Sequence, residues 1–319
     1  MFFALAFLYY KIDWFVLLDM SRHWIAIDWG TTNFRAFLMH DDVQVAQINQ
    51  ACGLLSVGQG GFAGTLQKLI QPWLENYPAA PIVLAGMVGS QQGWYEVAYA
   101  PLPATACSLV ERTLKIATPW GSPAWIVPGV SGTSPFGQPD VMRGEEVQLF
   151  GLYALHPAAQ HYALLPGTHS KHAQMINGEI ATFSTFMSGE LFALLSQHSL
   201  LGRALPPQQE DENAFLLGVS TALHGAPFSH LIFSARSRRL AGEIPHVHIH
   251  SYLSGLVIGY ELLALPGAQH AWLVGSPSLT ARYQLAADHI GLDFVPVNGD
   301  DCFIRGLCHL YSLLQENAS

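Results

Sequence analysis

The sequence predicts an α/β protein built as two lobes around a ligand cleft. Three observations carry that expectation. Apolar runs with the two-residue period of strands alternate with longer segments of helical period along the chain. Two of the strand-like runs, in Ile25–Leu38 and Ala163–Met175, break at a Gly/Thr-containing turn and resume as a second apolar strand, so one hairpin plan occurs twice. The length of 319 residues suffices for two domains of ordinary size, each with its own core. We expect the lobes to span residues 20–154 and 155–319, with residues 1–19 as an N-terminal extension.

Residues 1–19 are apolar but fit no targeting element. The start Met1-Phe2-Phe3-Ala4-Leu5 has no basic residue, no A-x-A site follows, and Lys11 and Asp13 leave runs too short to span a membrane. Met20, just before the first strand, is the expected start of the protein. If residues 1–19 are translated, they should pack as a helix or form a contact between copies, which admits a homodimer. The formal net charge of −9, with 14 Lys and Arg, lacks the basic field that a nucleic acid requires. Cys52, Cys107, Cys302 and Cys308 form no C-x-x-C pair, as expected of reduced thiols in a cytoplasmic protein.

In the first hairpin, Ile25 and Ile27 alternate with Ala26 and Asp28, which puts Asp28 at the strand end facing the turn. Gly30 permits backbone geometries in which successive N–H groups point at an anion, and Thr31, Thr32 and Asn33 add side-chain donors. This suits a phosphate, with the Asp28 carboxylate beside it for a hydrated magnesium ion. No G-x-x-x-x-G-K-[ST] loop occurs in the chain.

Phe62, Leu66, Leu69, Ile70 and Trp73 predict a covering helix that closes at Pro78. Pro81–Ser90 reads as a buried strand running into the glycine-punctuated turn Gly86-Met87-Val88-Gly89-Ser90, and a third strand covers Ala124–Gly129. After a Gly/Ser/Pro-rich loop, Glu145 and Glu146 open a helix, where the N-terminal dipole favours carboxylates whether or not they have a further role. The second hairpin carries Gly167-Thr168-His169 at its turn. A helix is expected from about Thr185 to His198, and a long apolar helix over Ser251–Leu265, with Gly255 and Gly259 permitting close packing. Ala271–Leu279 is a strand breaking at Gly275-Ser276, a turn suited to a nucleotide's base and ribose. Asp300 is expected to cap the terminal helix. His246, His248 and His250 alternate as on the solvated face of a strand, without a carboxylate spaced to complete a metal site.

Taken together, Ile25–Arg35, Ala85–Ser90, Val141–Glu146, Pro166–Lys171, Met187–Leu191 and Ser278–Tyr283 resemble the corresponding motifs of the 2-dehydro-3-deoxygalactonokinases, over Met20 to about His309. The wider resemblance is to the hexokinase/actin-like (ribonuclease H-like) fold, in which each of two related lobes donates a phosphate-binding hairpin and ATP lies between them. The resemblance implies ATP-dependent phosphorylation of the 6-hydroxyl of 2-dehydro-3-deoxy-D-galactonate in galactonate catabolism, with ATP and magnesium. Other readings of the same fold are a phosphohydrolase, an ATP-dependent sensor, or a kinase for another 2-keto-3-deoxy acid.

Pro166 stands where the hexokinase hairpin has Asp, so the resemblance moves the base elsewhere. The run Gly144–Gly151 is similar to the glycerol-kinase helix that supplies it, which implies Glu145, with Glu146 as the alternative. Asp28 would orient the metal. Gly30, Thr31, Thr32, Asn33, Gly167, Thr168, His169 and Lys171 would contact the phosphates, and Gly275 and Ser276 the nucleoside. Arg143 ranks ahead of Lys171 and His169 for the substrate carboxylate, and the turn of Gly86, Met87, Gly89 and Ser90 for the sugar hydroxyls.

Overall fold

The computed structural model describes residues 22–265 and 270–317. The expectations for residues 1–19, and for a homodimer made through them, lie outside the described residues. Strands β1 (His23–Trp29), β2 (Phe34–His40) and β3 (Val43–Gln50) form an antiparallel meander. Strand β4 (Ile82–Ala85) adds parallel to β1, and β7 (Pro123–Ile126) parallel to β4. With β6 (Leu114–Ala117) antiparallel at the edge, the order is β3-β2-β1-β4-β7-β6.

The second half repeats this plan. An antiparallel meander of β10 (Gln160–Leu165), β11 (Ser170–Ile176) and β12 (Glu179–Phe186) is followed by β13 (His270–Gly275) and β14 (Asp293–Asn298), added parallel, in the order β12-β11-β10-β13-β14. A small third sheet holds β5 (Ala100–Pro101), β8 (Val130–Thr133) and β9 (Pro139–Met142). The helices are α1 (Gly61–Leu74), α2 (Ala106–Arg112), α3 (Glu145–Leu155), α4 (Ser188–Gln197), α5 (Glu212–Ala222), the short α6 (Phe228–Leu231) and α7 (Ser234–Leu240), α8 (Ile249–Leu262), α9 (Pro277–Ile290) and α10 (Gly299–Glu316). This is the two-lobed hexokinase/actin-like α/β fold expected from the sequence.

Because side chains alternate along a strand, β1 serves two cores. Ile25, Ile27 and Trp29 pack with Leu66 and Ile70 of α1, whereas Trp24 and Ala26 face a second core with Phe303, Leu307 and Tyr311 of α10. That second core also contains Val147 and Phe150 of α3 and Ala163 and Leu165 of β10. The expectation of one separate core per lobe therefore needs correction: α3 and α10 form a layer whose core joins the two sheets.

The contact between α3 and α10 depends on two glycines. A Cβ on Gly151 would stand 1.7 Å from the Cys302 carbonyl oxygen, and one on Gly306 2.0 Å from that of Val147. Such overlap cannot be relieved by a rotamer change, so the helices must separate. We expect Gly151→Ala to lower stability by about 2–3 kcal/mol, read as a drop in the thermal midpoint. An unchanged midpoint would show that the crossing is more plastic than its geometry indicates.

In the second half, Gly255 packs as the sequence predicts: its Cβ would lie 1.9 Å from the Phe215 carbonyl oxygen of α5. Three local expectations are corrected. Strand β12 continues to Phe186, so the following helix starts at Ser188 rather than near Thr185. Asn298, not Asp300, caps α10, its side-chain oxygen accepting from the Asp300 N–H at 2.8 Å. Residues 246–248 form a single 3₁₀ turn and His250 lies in α8, because Pro245 initiates a helical rather than an extended segment.

Candidate active site

The cleft holds about 710 Å³ and is bordered by the turns of both hairpins, the starts of α3 and α10, and the turn after β13. A volume of this order accommodates a nucleotide-sized ligand. In the first turn, the Gly30 N–H donates to the Asn33 carbonyl at 2.9 Å, so that amide closes the turn rather than facing the cleft. Behind it, the Gly53 N–H donates to the Thr32 carbonyl at 2.9 Å, and a Cβ on Gly53 would lie 2.1 Å from the Thr31 carbonyl oxygen. This second segment fixes the turn so that Gly30, Thr32 and Asn33 line the cleft. Thr31 is exposed but is not among the lining residues.

Asp28 and Arg35 are direct partners across the β1–β2 hairpin. The Arg35 Nε donates to Asp28 Oδ2 at 3.0 Å, and Nη1 of the same guanidinium bonds the Asp300 carboxylate from the first turn of α10. Burial opposes the charge on Arg35, but the carboxylates of Asp28 and Asp300 outweigh it and raise its pKa. Two carboxylates sharing one cation leave the cleft wall with a net negative charge and oxygen donors suited to a hard cation.

The turn after β4 supports this wall from behind. Gly86 has φ +90°, and a Cβ there would meet Asp28 Oδ1 and the Trp29 carbonyl oxygen, each at 3.0 Å. Met87, Gly89 and Ser90 do not line the cleft, nor does Gly86. The segment tucks under Asp28 and Arg143: a Cβ on Gly89 would lie 2.9 Å from Arg143 Nη1. Arg143 itself lines the cleft and is buried, with its guanidinium 4.2 Å from the Tyr99 ring centre and Nη2 donating to the Val97 carbonyl at 2.8 Å. Its Nε and Nη1 donors are buried with no protein acceptor.

The two neighbouring glutamates separate cleanly. Glu145 lines the cleft, its Oε2 accepting from the Arg143 N–H at 3.0 Å and its Oε1 4.0 Å from Lys171 Nζ. Burial raises its pKa, while the Lys171 charge acts against that rise. Glu146 is fully buried, is not among the lining residues and accepts from the Gly144 N–H at 2.7 Å, closing the start of its own helix. Burial, and then the charge of Glu145, push its pKa from 4.5 to about 8. A carboxyl whose folded-state pKa is raised binds its proton more tightly when folded, so its contribution to stability falls as pH rises from 4.5 to about 8. Glu146→Gln, which keeps the neutral shape, should raise the thermal midpoint at pH 8 and change it little near about pH 5. A midpoint difference that does not vary with pH would contradict the assignment.

In the second turn, Pro166 and Gly167 line the cleft. Thr168 and His169 are exposed and are not among the lining residues; His169 Nε2 instead lies 2.6 Å from Glu190 Oε2 on α4. Lys171 also stands back, buried on β11 with Nζ donating to Thr185 Oγ1 at 2.9 Å. The turn is anchored from beneath. The Gly167 N–H donates to Ser170 Oγ at 3.4 Å, Ser170 Oγ lies 3.0 Å from the Tyr283 hydroxyl, and that hydroxyl donates to Glu261 at 2.6 Å. His172 Nε2 lies 2.9 Å from the other oxygen of Glu261. Gly275 and Ser276 also line the cleft.

The family model described as 2-keto-3-deoxy-galactonokinase matches residues 28–310. The chain belongs to that family. It is similar to the 2-dehydro-3-deoxygalactonokinase of Escherichia coli K12, with 37% identity over 91% of this chain and 99% of the relative. A relative in Rhizobium meliloti, named "Probable 2-dehydro-3-deoxygalactonokinase DgoK1", is 34% identical over 91% of this chain and 97% of its own length. A solved structure titled "Crystal structure of a putative 2-dehydro-3-deoxygalactonokinase protein from Sinorhizobium meliloti" superposes with a TM-score of 0.82 at 32% identity, covering 91% of this chain and 96% of that one.

For a member of this kinase family, the residues that sequence reasoning missed are Arg35, Asp300 and Gln148. Gln148 lines the cleft and donates to the Gly299 carbonyl at 3.1 Å, joining the starts of α3 and α10. Arg35 had a readable signal, because a hairpin closing at the turn of residues 30–33 places it opposite Asp28. Asp300 had none, since only the fold brings it to Arg35.

Proposed function

We propose that the protein transfers the γ-phosphoryl group of ATP to the 6-hydroxyl of 2-dehydro-3-deoxy-D-galactonate, with Glu145 as the general base. The observation that carries this reading is a cleft with both hairpin turns on its border and Glu145, alone of the two glutamates at the head of α3, on its lining. Phosphoryl transfer is chiefly a matter of positioning and charge stabilisation. The two turns, through Gly30, Thr32 and Asn33 on one side and Pro166 and Gly167 on the other, would position the phosphates. Glu145 accepts the proton of the sugar hydroxyl as the attack develops. Gly275 and Ser276 border the ribose.

Asp28 and Asp300 are the oxygen donors that would hold magnesium, through water, and the ion would neutralise charge on the phosphates. Among the described residues no helix is long and apolar enough to cross a membrane. The four cysteines are unpaired, which supports a reducing, cytoplasmic setting.

A kinase for a sugar acid needs a cation for the carboxylate, and of the two arginines that line the cleft Arg35 is committed to Asp28 and Asp300, which supports assigning Arg143 to that task. Arg143→Met should raise KM for the sugar acid by roughly ten- to a hundred-fold and leave KM for ATP nearly unchanged. An unaltered KM for the acid would move the carboxylate site elsewhere. The function itself is tested by ADP release in the presence of a panel of 2-keto-3-deoxy acids. Turnover should depend on the galactonate-derived acid; release indifferent to every acid would refute the proposal.

A further inference from the structure

Lys171 is a buried cation that the cleft does not use directly. Its side chain is 5% exposed and is absent from the cleft lining, so it is not placed to hold a phosphate. Instead it is fixed by a short relay from three strands. Lys171 on β11 pairs directly with Thr185 on β12 and donates to the Thr185 hydroxyl at 2.9 Å. Asp140 on β9 accepts both from that hydroxyl, at 2.6 Å, and from the Thr185 N–H, at 2.7 Å. With its proton committed to Asp140, the Thr185 oxygen presents its lone pairs to the ammonium group. The ammonium is thereby held 4.0 Å from Oε1 of Glu145.

We propose that Lys171, anchored by Thr185 and Asp140, is a positioning residue that keeps Glu145 ionised and aimed into the cleft. This rests on the reading of Glu145 as the base. Loss of solvent pushes the Glu145 carboxyl toward its neutral form against the pull of the helix start, and a neutral acid cannot take a proton from the substrate. The groups facing Glu145 are Lys171 from β11, Asp28 from β1, the Arg143 N–H from the segment after β9, and Glu146 on its own helix. Of these, Asp28 and Glu146 add negative charge or none. Lys171 is the side-chain cation among them that favours the ionised form, and the anchor prevents it from swinging to solvent or phosphate.

The test is the pH profile of kcat for K171M, K171R and T185V, alongside infrared titration of the Glu145 carboxylate in the ligand-free protein, identified by its loss in E145Q. A base that must be ionised loses activity as pH falls through its pKa, so removing the nearby cation moves that limb upward. K171M should shift the acid limb and the infrared titration up by about one pH unit or more, with KM for ATP changed less than twofold. K171R should restore most of the shift. T185V, which removes the anchor and retains the charge, should give a smaller upward shift in a folded protein. Unmoved infrared titration in both K171M and T185V would overturn the proposal. If the infrared band moves while the kinetic limb stays, Lys171 controls Glu145 and it is the base assignment that fails.

Discussion

Glu145→Gln should lower kcat by roughly 10²- to 10⁴-fold while leaving ATP binding close to that of the parent. The reasoning is geometric. Glu145 is the carboxylate at the head of α3 that lines the cleft, and its backbone partner, the Arg143 N–H, fixes one oxygen while the other stays on the Lys171 side. Glutamine keeps the shape and can still accept from that N–H, so the helix start survives and only the proton acceptor is lost. Glu146→Gln is the internal control. Its carboxyl is buried against the Gly144 N–H and off the cleft, so kcat should change little. If Glu146→Gln collapses turnover and Glu145→Gln does not, the roles are reversed.

Asp28→Asn should lower kcat by roughly 10²- to 10³-fold and raise the magnesium concentration needed for half-maximal rate. Asp28 and Asp300 together balance Arg35 with one negative charge to spare. Removing one carboxylate leaves Arg35 paired to Asp300 alone, and the cleft wall loses the net charge that attracts a divalent cation. The fold should tolerate the change, because asparagine still accepts from Arg35 and preserves the volume beneath Gly86. Thermal melting checks this independently of activity. Wild-type kcat with an unchanged magnesium requirement would limit Asp28 to a structural pairing with Arg35.

Much of this arrangement was legible because it is local. The first hairpin places Asp28 at a strand end and glycine in the turn within a few residues of sequence, and strand alternation alone assigns Ile25 and Ile27 to one face and Trp24 and Ala26 to the other. The recurrence of that plan at Ala163–Met175 gave the second lobe. Glu145 and Glu146 could not be separated at that level. Both occupy the first turn of α3 and both are favoured by its dipole, but they point about 100° apart around the helix, and only the packing of α3 on α10 decides which one meets the cleft.

Other misses share that cause. An acid suits a helix start, which makes Asp300 a candidate cap, whereas Asn298 already fills that role and frees Asp300 to reach Arg35 on the opposite sheet. The glycines of the Gly86–Ser90 turn suggest a ligand loop. Those glycines instead admit Asp28 and Arg143 at close range, so the turn acts through the residues it supports. Lys171 followed the same pattern: a lysine next to a phosphate turn invites a phosphate contact, and strand register turns it inward to Thr185.

The most direct measurement is the site of phosphorylation on the product formed from ATP and 2-dehydro-3-deoxy-D-galactonate, read by phosphorus–proton correlation NMR. We expect a phosphate ester on C6, formed by the parent protein and suppressed in Glu145→Gln. Inorganic phosphate as the sole product, or an ester on another carbon, would contradict it.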